Sequence, residues 1–378
     1  MVTSNRINQR LILTSVVLAL TAASCGTDGS GSTTSSVATG ELASICPSVV
    51  KIQTDWFPEA EHGGVYELLG ADYSINNDTA SVRGALMDAG RPTGVDVEII
   101  AGGQLSGGRS VSATMYADDS ITLGFVNTDS AVRDSRDTPT VAVFAPLDRS
   151  PLGFLWDAAK HPNAMTLSEA LQEIDTVSVF GHLAFVDYLI AKGILPEKKL
   201  DLNYKGDLQI ATRDVIHQGF STAEPFQYEM QHGIKVAFES LYDLGWPIYP
   251  ETFAVRADQI QTLTPCLKKL VPILQRAQVA FLADPNRAVD IIVAAVNEYG
   301  TWWQYTPELG AYSVKTQIES GIIATTEKNF GAMDPDRVQL IIDAAGPIFR
   351  DLGKDVPTDL APSDLINNSF LDPGISYP

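Results

Sequence analysis

Histidine and cysteine are scarce in this sequence, five and three of 378 residues, and neither type clusters. His62, His161, His182, His217 and His232 make no His-x-x-x-His pair, and the cysteines make no Cys-x-x-Cys pair. No metal site is expected on that pattern. A Gly-x-Ser-x-Gly elbow is absent, which removes the commonest serine-hydrolase signature. Gly102-Gly-Gln-Leu-Ser-Gly-Gly108 is rich in glycine but lacks the Lys-Ser/Thr of a phosphate-binding loop. No apolar run reaches the ~20 residues that a membrane-spanning helix needs. Basic residues are few as well, 26 Lys and Arg against 46 Asp and Glu, for a net charge of −20. That balance excludes nucleic acid as a partner and adhesion to anionic lipid through charge alone. Neither a cofactor nor catalysis is expected.

What is present begins with Arg6 and Arg10, the apolar run Leu11–Leu20, then Thr21-Ala-Ala-Ser24 and Cys25. A basic stub, a short apolar core and small residues form a secretory signal peptide, expected over 1–24. The Cys after small residues resembles a bacterial lipobox, with Ala22 where that pattern usually has Leu. The resemblance implies cleavage before Cys25 and a diacylglycerol on its thiol; an ordinary signal peptide cut near Ala23 is the alternative. Residues 25–45 are mostly Gly, Ser and Thr. With little to bury they are expected to be a flexible tether. Without Arg6 and Arg10, 24 basic groups face 46 acidic ones, a net of −22. An exported chain meets oxidising conditions, where the even pair Cys46 and Cys266 suggests a disulfide into the Leu263–Cys266 turn. Two free thiols are the alternative.

The first half alternates β-rich and helical runs. Strands are expected at 49–53, 95–100, 121–125, 140–144 and 176–180, with helices at 61–70, 104–116, 167–174 and 183–192. The segment 76–94 reads as an insertion. Alternation of this kind implies an α/β fold with mainly parallel sheets, whose ligands sit at the carboxyl ends of strands. Long helices follow at 257–278, 286–301 and 335–352, the last announced by Asp334-Pro335. The stretch 357–378 is expected to wrap the surface. The length exceeds the ~250–300 residues at which single cores stop growing, so two lobes are expected.

Three stretches carry the chemistry. Thr54-Asp-Trp-Phe-Pro-Glu-Ala-Glu-His-Gly-Gly64 follows the first strand and opens a helix. Trp56 and Phe57 there offer flat faces, while Asp55 and His62 offer polar edges; a buried aromatic pair is the plainer reading. Gly124-Phe-Val-Asn-Thr-Asp-Ser130 places Asn127, Thr128 and Asp129 after the third strand, as ligand contacts or as a simple Asx turn. Gly219-Phe-Ser-Thr-Ala-Glu-Pro-Phe-Gln-Tyr-Glu229 supplies Glu224, with Phe220 and Tyr228 as a second stacking face. Ser150, in a crossing segment, and His182, at a helix start, are weaker candidates.

The first stretch resembles the Asp-Trp-x-Pro-Asn-x-x-His-x-Gly segment of periplasmic binding proteins for thiamine pyrimidine precursors. Wider relatives of that family handle riboflavin, nitrate, sulfonates and taurine. Asp55, Trp56, Pro58, His62 and Gly64 fit, and Glu59 stands where Asn is usual. Gly219 to Pro225 looks like the family's Gly-Tyr-x-x-x-Glu-Pro segment. The resemblance implies a periplasmic-binding-protein type II fold with two lobes and a hinge. Lobe I would comprise 46–144 and 253–378, lobe II 145–252, with crossings near 144–147 and 246–253. It implies the extracytoplasmic solute-binding component of an ABC importer, a monomer held on the outer face of the cytoplasmic membrane by its lipid. Its partners would be a small-molecule ligand and the permease subunits, and its ligand a small flat heterocycle gripped by hinge closure.

Nitrate, taurine or an alkanesulfonate is the alternative ligand. It would call for Arg or Lys in the cleft, and the three stretches contain neither; Arg149 and Arg213 are the nearest in sequence. A remote alternative is the fungal pyrimidine-synthesising enzyme family, which shares the Asp-Trp-x-Pro…His segment but also carries a cysteine-rich iron motif that this chain lacks.

Overall fold

The computed structural model describes residues 40–181, 183–204 and 206–378. The signal peptide, Cys25 and His182 lie outside the described residues. The stretch expected to be tether is folded from Gly40 onward: Leu42 is fully buried and its N–H donates to the Thr93 carbonyl at 3.2 Å.

The chain runs through β1 (Val49–Gln53), α1 (Gly63–Glu67), β2 (Ser74–Asn76), β3 (Ser81–Asp88), β4 (Arg91–Ile100), α2 (Val111–Ala117), β5 (Ile121–Val126), α3 (Thr128–Arg133) and β6 (Thr140–Phe144). It then makes β7 (Leu152–Asp157), α4 (Leu167–Glu173), β8 (Val177–Ser178), α5 (Ala184–Ala191), β9 (Leu200–Asp201), β10 (Ile216–Phe220), α6 (Glu224–His232) and β11 (Val236–Ser240). After β12 (Thr252–Arg256) come α7 (Ile260–Ala283), α8 (Asn286–Tyr299), α9 (Pro307–Glu319), α10 (Pro335–Asp351) and the short α11 (Pro362–Leu365).

Two sheets result, a seven-stranded one ordered β2-β3-β4-β1-β5-β12-β6 and a five-stranded one ordered β11-β7-β10-β8-β9. The chain therefore passes from the first sheet to the second between β6 and β7, and returns between β11 and β12. Parallel pairing is confined to β1 with β4 and β5, and β8 with β9 and β10. The remaining pairs are antiparallel, so the expectation of mainly parallel sheets is corrected. The supposed insertion 76–94 contains most of the β2-β3-β4 meander that forms one edge of the larger sheet. The expected helix 104–116 is broken at Gly107 and Gly108, both with positive φ. It survives as a 3-10 turn at Gly103–Ser106 and as α2, which Ser110 caps.

Local chemistry explains most boundaries. β5, inside the larger sheet, and β6, at its edge, are both buried along their whole length, which is why they read as continuous apolar runs rather than alternating ones. Thr166 and Glu169 make a reciprocal capping box on α4. Asp334 caps α10 just before Pro335. Under the larger sheet, Val50, Ile52, Val97 and Leu123 share a core with Leu267, Val271 and Leu274 of α7. A second core joins Phe154, Trp156 and Val177 to Phe185 and Leu189 of α5 and to Val338, Ile341 and Phe349 of α10. Each such side chain, fully buried, contributes about 1.5–3 kcal/mol.

Cys46 and Cys266 are joined in a disulfide across 220 residues of sequence. Cys266 lies inside α7 rather than in a turn, so the bond fastens the entry to β1 onto a helix of the core. The double variant Cys46→Ser, Cys266→Ser is expected to lose about 2–5 kcal/mol of unfolding free energy, measured by denaturant titration of both proteins under oxidising conditions.

Candidate functional site

The site is built on the loop that leaves β1. Thr54 Oγ1 donates to the Trp56 carbonyl at 3.0 Å. The Gly102 and Gly103 N–H groups donate to the Trp56 and Asp55 carbonyls at 2.8 and 3.0 Å. A Cβ on Gly102 would fall 2.2 Å from the Thr54 carbonyl oxygen, and one on Gly103 2.9 Å from the Trp56 indole. The glycine-rich stretch thus serves as the backing against which Asp55 and Trp56 are held.

Phe57 has no free face. It is 2% exposed, with Trp56 and Trp302 edge-on at 5.4 Å and Trp303 stacked at 6.1 Å. The plainer reading, a buried aromatic, holds for Phe57, whereas Trp56 stays half-buried.

His62 is buried, its ring 5.2 Å from that of Phe125. Its Nε2 lies 3.1 Å from Asp55 Oδ1, 3.8 Å from Glu59 Oε1 and 3.8 Å from Glu251 Oε2. Glu251 arrives from the return crossing, with φ +50 and its N–H donated to Asn127 Oδ1 at 2.8 Å. Glu61 is buried nearby and accepts from Ser313 Oγ at 3.3 Å. Glu224 opens α6 and accepts from the Phe220 N–H at 2.8 Å.

Burial pushes the Glu59 carboxyl well above its ordinary value, and the neighbouring Glu61, Glu251, Asp55 and Glu224 add to the rise. Glu251 is raised well up by burial and then by Asp55 and Glu61. Burial raises Glu61 and carries Glu224 to about 7, Glu61 adding to it. Among the described residues no Lys or Arg forms an ion pair with any of these carboxylates.

A cavity of about 340 Å³ opens beside this cluster. Of the residues singled out from the sequence, Asp55, Asn127, Asp129, Ser150 and Phe220 line it together, with Glu251, Trp246, Phe185 and Arg133. Asp129 accepts from Trp246 Nε1 at 3.3 Å, and Ser150 Oγ accepts from the Leu152 N–H at 3.2 Å. Trp56 and Glu224 stand outside the lining, and His62 sits behind Asp55. Thr128 is buried, pairing its hydroxyl with the Tyr249 N–H and its own N–H with the Tyr249 carbonyl, both at 3.1 Å. It joins the crossing to α3 rather than facing the cavity. Tyr228 is fully buried behind the smaller sheet, its hydroxyl 2.7 Å from His217 Nε2, so it offers no stacking face. Arg149 lies 4.3 Å over the Tyr242 ring and Arg213 pairs with Asp201. Neither lines the cavity.

Sequence reasoning missed Glu251 and Arg133. Glu251 could have been noticed as the only acid among residues 246–253, directly after Pro250. Arg133 is engaged by Asp134 at 2.7 Å through both Nε and Nη2.

No protein-family model matches the sequence, and no curated protein matches it. Solved structures do. The periplasmic aliphatic sulphonate binding protein SsuA from Escherichia coli aligns with 9% identity over 86% of this chain and 93% of its own, with a TM-score of 0.54. The alkanesulfonate-binding protein SsuA from Xanthomonas axonopodis pv. citri, bound to MOPS, aligns with 9% identity over 85% and 98%, also at 0.54. The ligand binding component of an ABC-type import system from Staphylococcus aureus, with zinc bound, aligns with 12% identity over 85% and 97%, at 0.52. The chain has the periplasmic-binding-protein type II fold, mixed α/β with two sheets forming two lobes.

The buried carboxyls give stability a definite sign with pH. Below pH 4.5, the ordinary value, Glu224 is protonated whether folded or not. Between there and about 7 only the folded state keeps the proton, so its contribution is lost as pH rises through 7. Glu224→Gln is expected to flatten this fall, the difference from wild type growing by on the order of 1–3 kcal/mol between pH 5 and 8. Unfolding free energies of both proteins across that range decide it; a difference independent of pH rejects the assignment.

Proposed function

We propose that this chain is the solute-binding component of an ABC importer, and that it captures a small, flat, positively charged nitrogen heterocycle between its lobes. The observation that carries the ligand class is the crowding of Asp55, Glu59 and Glu251 around His62, with Glu61 and Glu224 beside them and, among the described residues, no Lys or Arg paired to any of the five. Such a cluster is uphill for an anion and downhill for a cation. Phe220, 38% exposed, and Asp55 line one cavity from opposite sheets. A ring stacked on the first and hydrogen-bonded to the second stabilises the closed arrangement of lobes by touching both.

The import role is supported by the fold, which spans nearly the whole of neighbours that belong to such systems. Export is supported by the Cys46–Cys266 disulfide. Attachment to the outer face of the cytoplasmic membrane through a lipid on Cys25 completes the reading. A sulfonate or nitrate is the second reading, the sulfonate favoured by the ligand class of the two SsuA neighbours and either anion by Arg133 and Lys354 in the cavity lining. Arg133 is already engaged by Asp134, which leaves one lysine for that role.

A thermal-shift panel of cationic pyrimidines, flavins, taurine and nitrate tests the ligand class. The matching ring is expected to stabilise the protein by about 2.7 kcal/mol at a hundredfold excess over Kd. Phe220→Ala is expected to weaken it about tenfold. Stabilisation by taurine or nitrate alone would reverse the ranking. For the anchor, Cys25→Ser is expected to move the protein from the membrane fraction to the soluble one on cell fractionation.

A further inference from the structure

We propose that Asp55, His62 and Glu251 form a binding site for one first-row divalent metal ion. One ligand atom from each lies within 4.8 Å of the others. A tetrahedral zinc site, with bonds of about 2.0–2.1 Å, holds its ligand atoms about 3.4 Å apart. The separations from His62 Nε2, 3.1 Å to Asp55 Oδ1 and 3.8 Å to Glu251 Oε2, bracket that value. The longer one is beyond hydrogen-bonding reach, yet it suits two ligands of a common ion.

Independent support comes from Glu251. Its side chain is 7% exposed, its Oε2 has no hydrogen-bond partner, and that atom is aimed at His62 Nε2. An ionised carboxylate so placed is costly unless a cation reaches it. Glu59 Oε1, 3.8 Å from the same nitrogen, adds further negative charge. One imidazole and two carboxylates suit zinc or manganese. Asp55 and Glu251 both line the cavity and Asp55 is 29% exposed, so an ion can enter and keep a coordination position open toward bound solute. Because Glu251 lies on the return crossing, the ion would tie that crossing to the β1 loop.

The site shares the cleft with the proposed heterocycle but does not depend on that reading. The test uses the full, untagged chain stripped with EDTA and titrated calorimetrically with zinc chloride, with cobalt(II) as a spectroscopic substitute. Uptake of one ion per chain is expected, with tetrahedral cobalt bands. Affinity is expected to fall at least tenfold in Glu251→Gln and in Asp55→Asn, both of which keep side-chain shape. No uptake by the wild type, or equal uptake by both variants, overturns the proposal. Repeating the heterocycle panel in EDTA separates the two readings. Ring binding that persists in a chain taking up no zinc sinks only the metal site; zinc uptake without ring binding sinks only the heterocycle.

Discussion

The cleft depends on how two lengths of chain are held side by side as they pass between the sheets, and Arg337 holds both. Its Nε donates to the Pro247 carbonyl at 2.6 Å and Nη2 to the Ile248 carbonyl at 2.7 Å. Nη1 reaches Asp148 Oδ1 at 2.9 Å, on the other crossing. The guanidinium also lies 3.8 Å over the Tyr249 ring. A planar group with five fixed donors can satisfy several carbonyls and stack at once, which a lysine cannot. The next residues along the return crossing are then set by Thr128 and Asn127, which pair with Tyr249 and Glu251. The position of Glu251 in the cleft is thus fixed through its backbone, by Asn127 directly and by Arg337 of α10 a few residues upstream, rather than through its own side chain.

Much of this was legible in the sequence where local chemistry decides the outcome. β1, β5 and β6 are short apolar runs with no competing period, and Asp334-Pro335 announces α10. The disulfide pair was legible too. Side-chain direction was not. Phe57 and Tyr228 are aromatic residues near element ends, but what covers them lies on other elements: the distant Trp302 and Trp303 for the first, His217 and Ile210 of the preceding stretch for the second. Thr128 is drawn to a crossing 121 residues away. Glu251 carried no motif at all; its meaning is purely positional. In the smaller sheet the apolar run 176–180 marked β8, whereas β9 is only two residues long, too short to show a period.

The crowded carboxylates set the energetic character of the cleft. Packing acids beside one another behind an apolar wall raises the free energy of their ionised forms. Protons, a metal ion or a cationic solute would each relieve that repulsion, so these species would compete with one another there. Occupancy and protonation of these carboxyls are therefore linked variables.

The two sheets differ in how their strands are drawn from the chain. All five strands of the smaller one lie between Leu152 and Ser240, whereas the larger one needs Thr252–Arg256 inserted between β5 and β6. As the polypeptide emerges in order from its N-terminus, the smaller sheet can therefore complete its pairing first. The earlier-numbered half must wait for β12, and its covalent clasp must wait for Cys266. The segment that appears first is sealed last, which leaves its unpaired edges in need of protection until Thr252–Arg256 arrives.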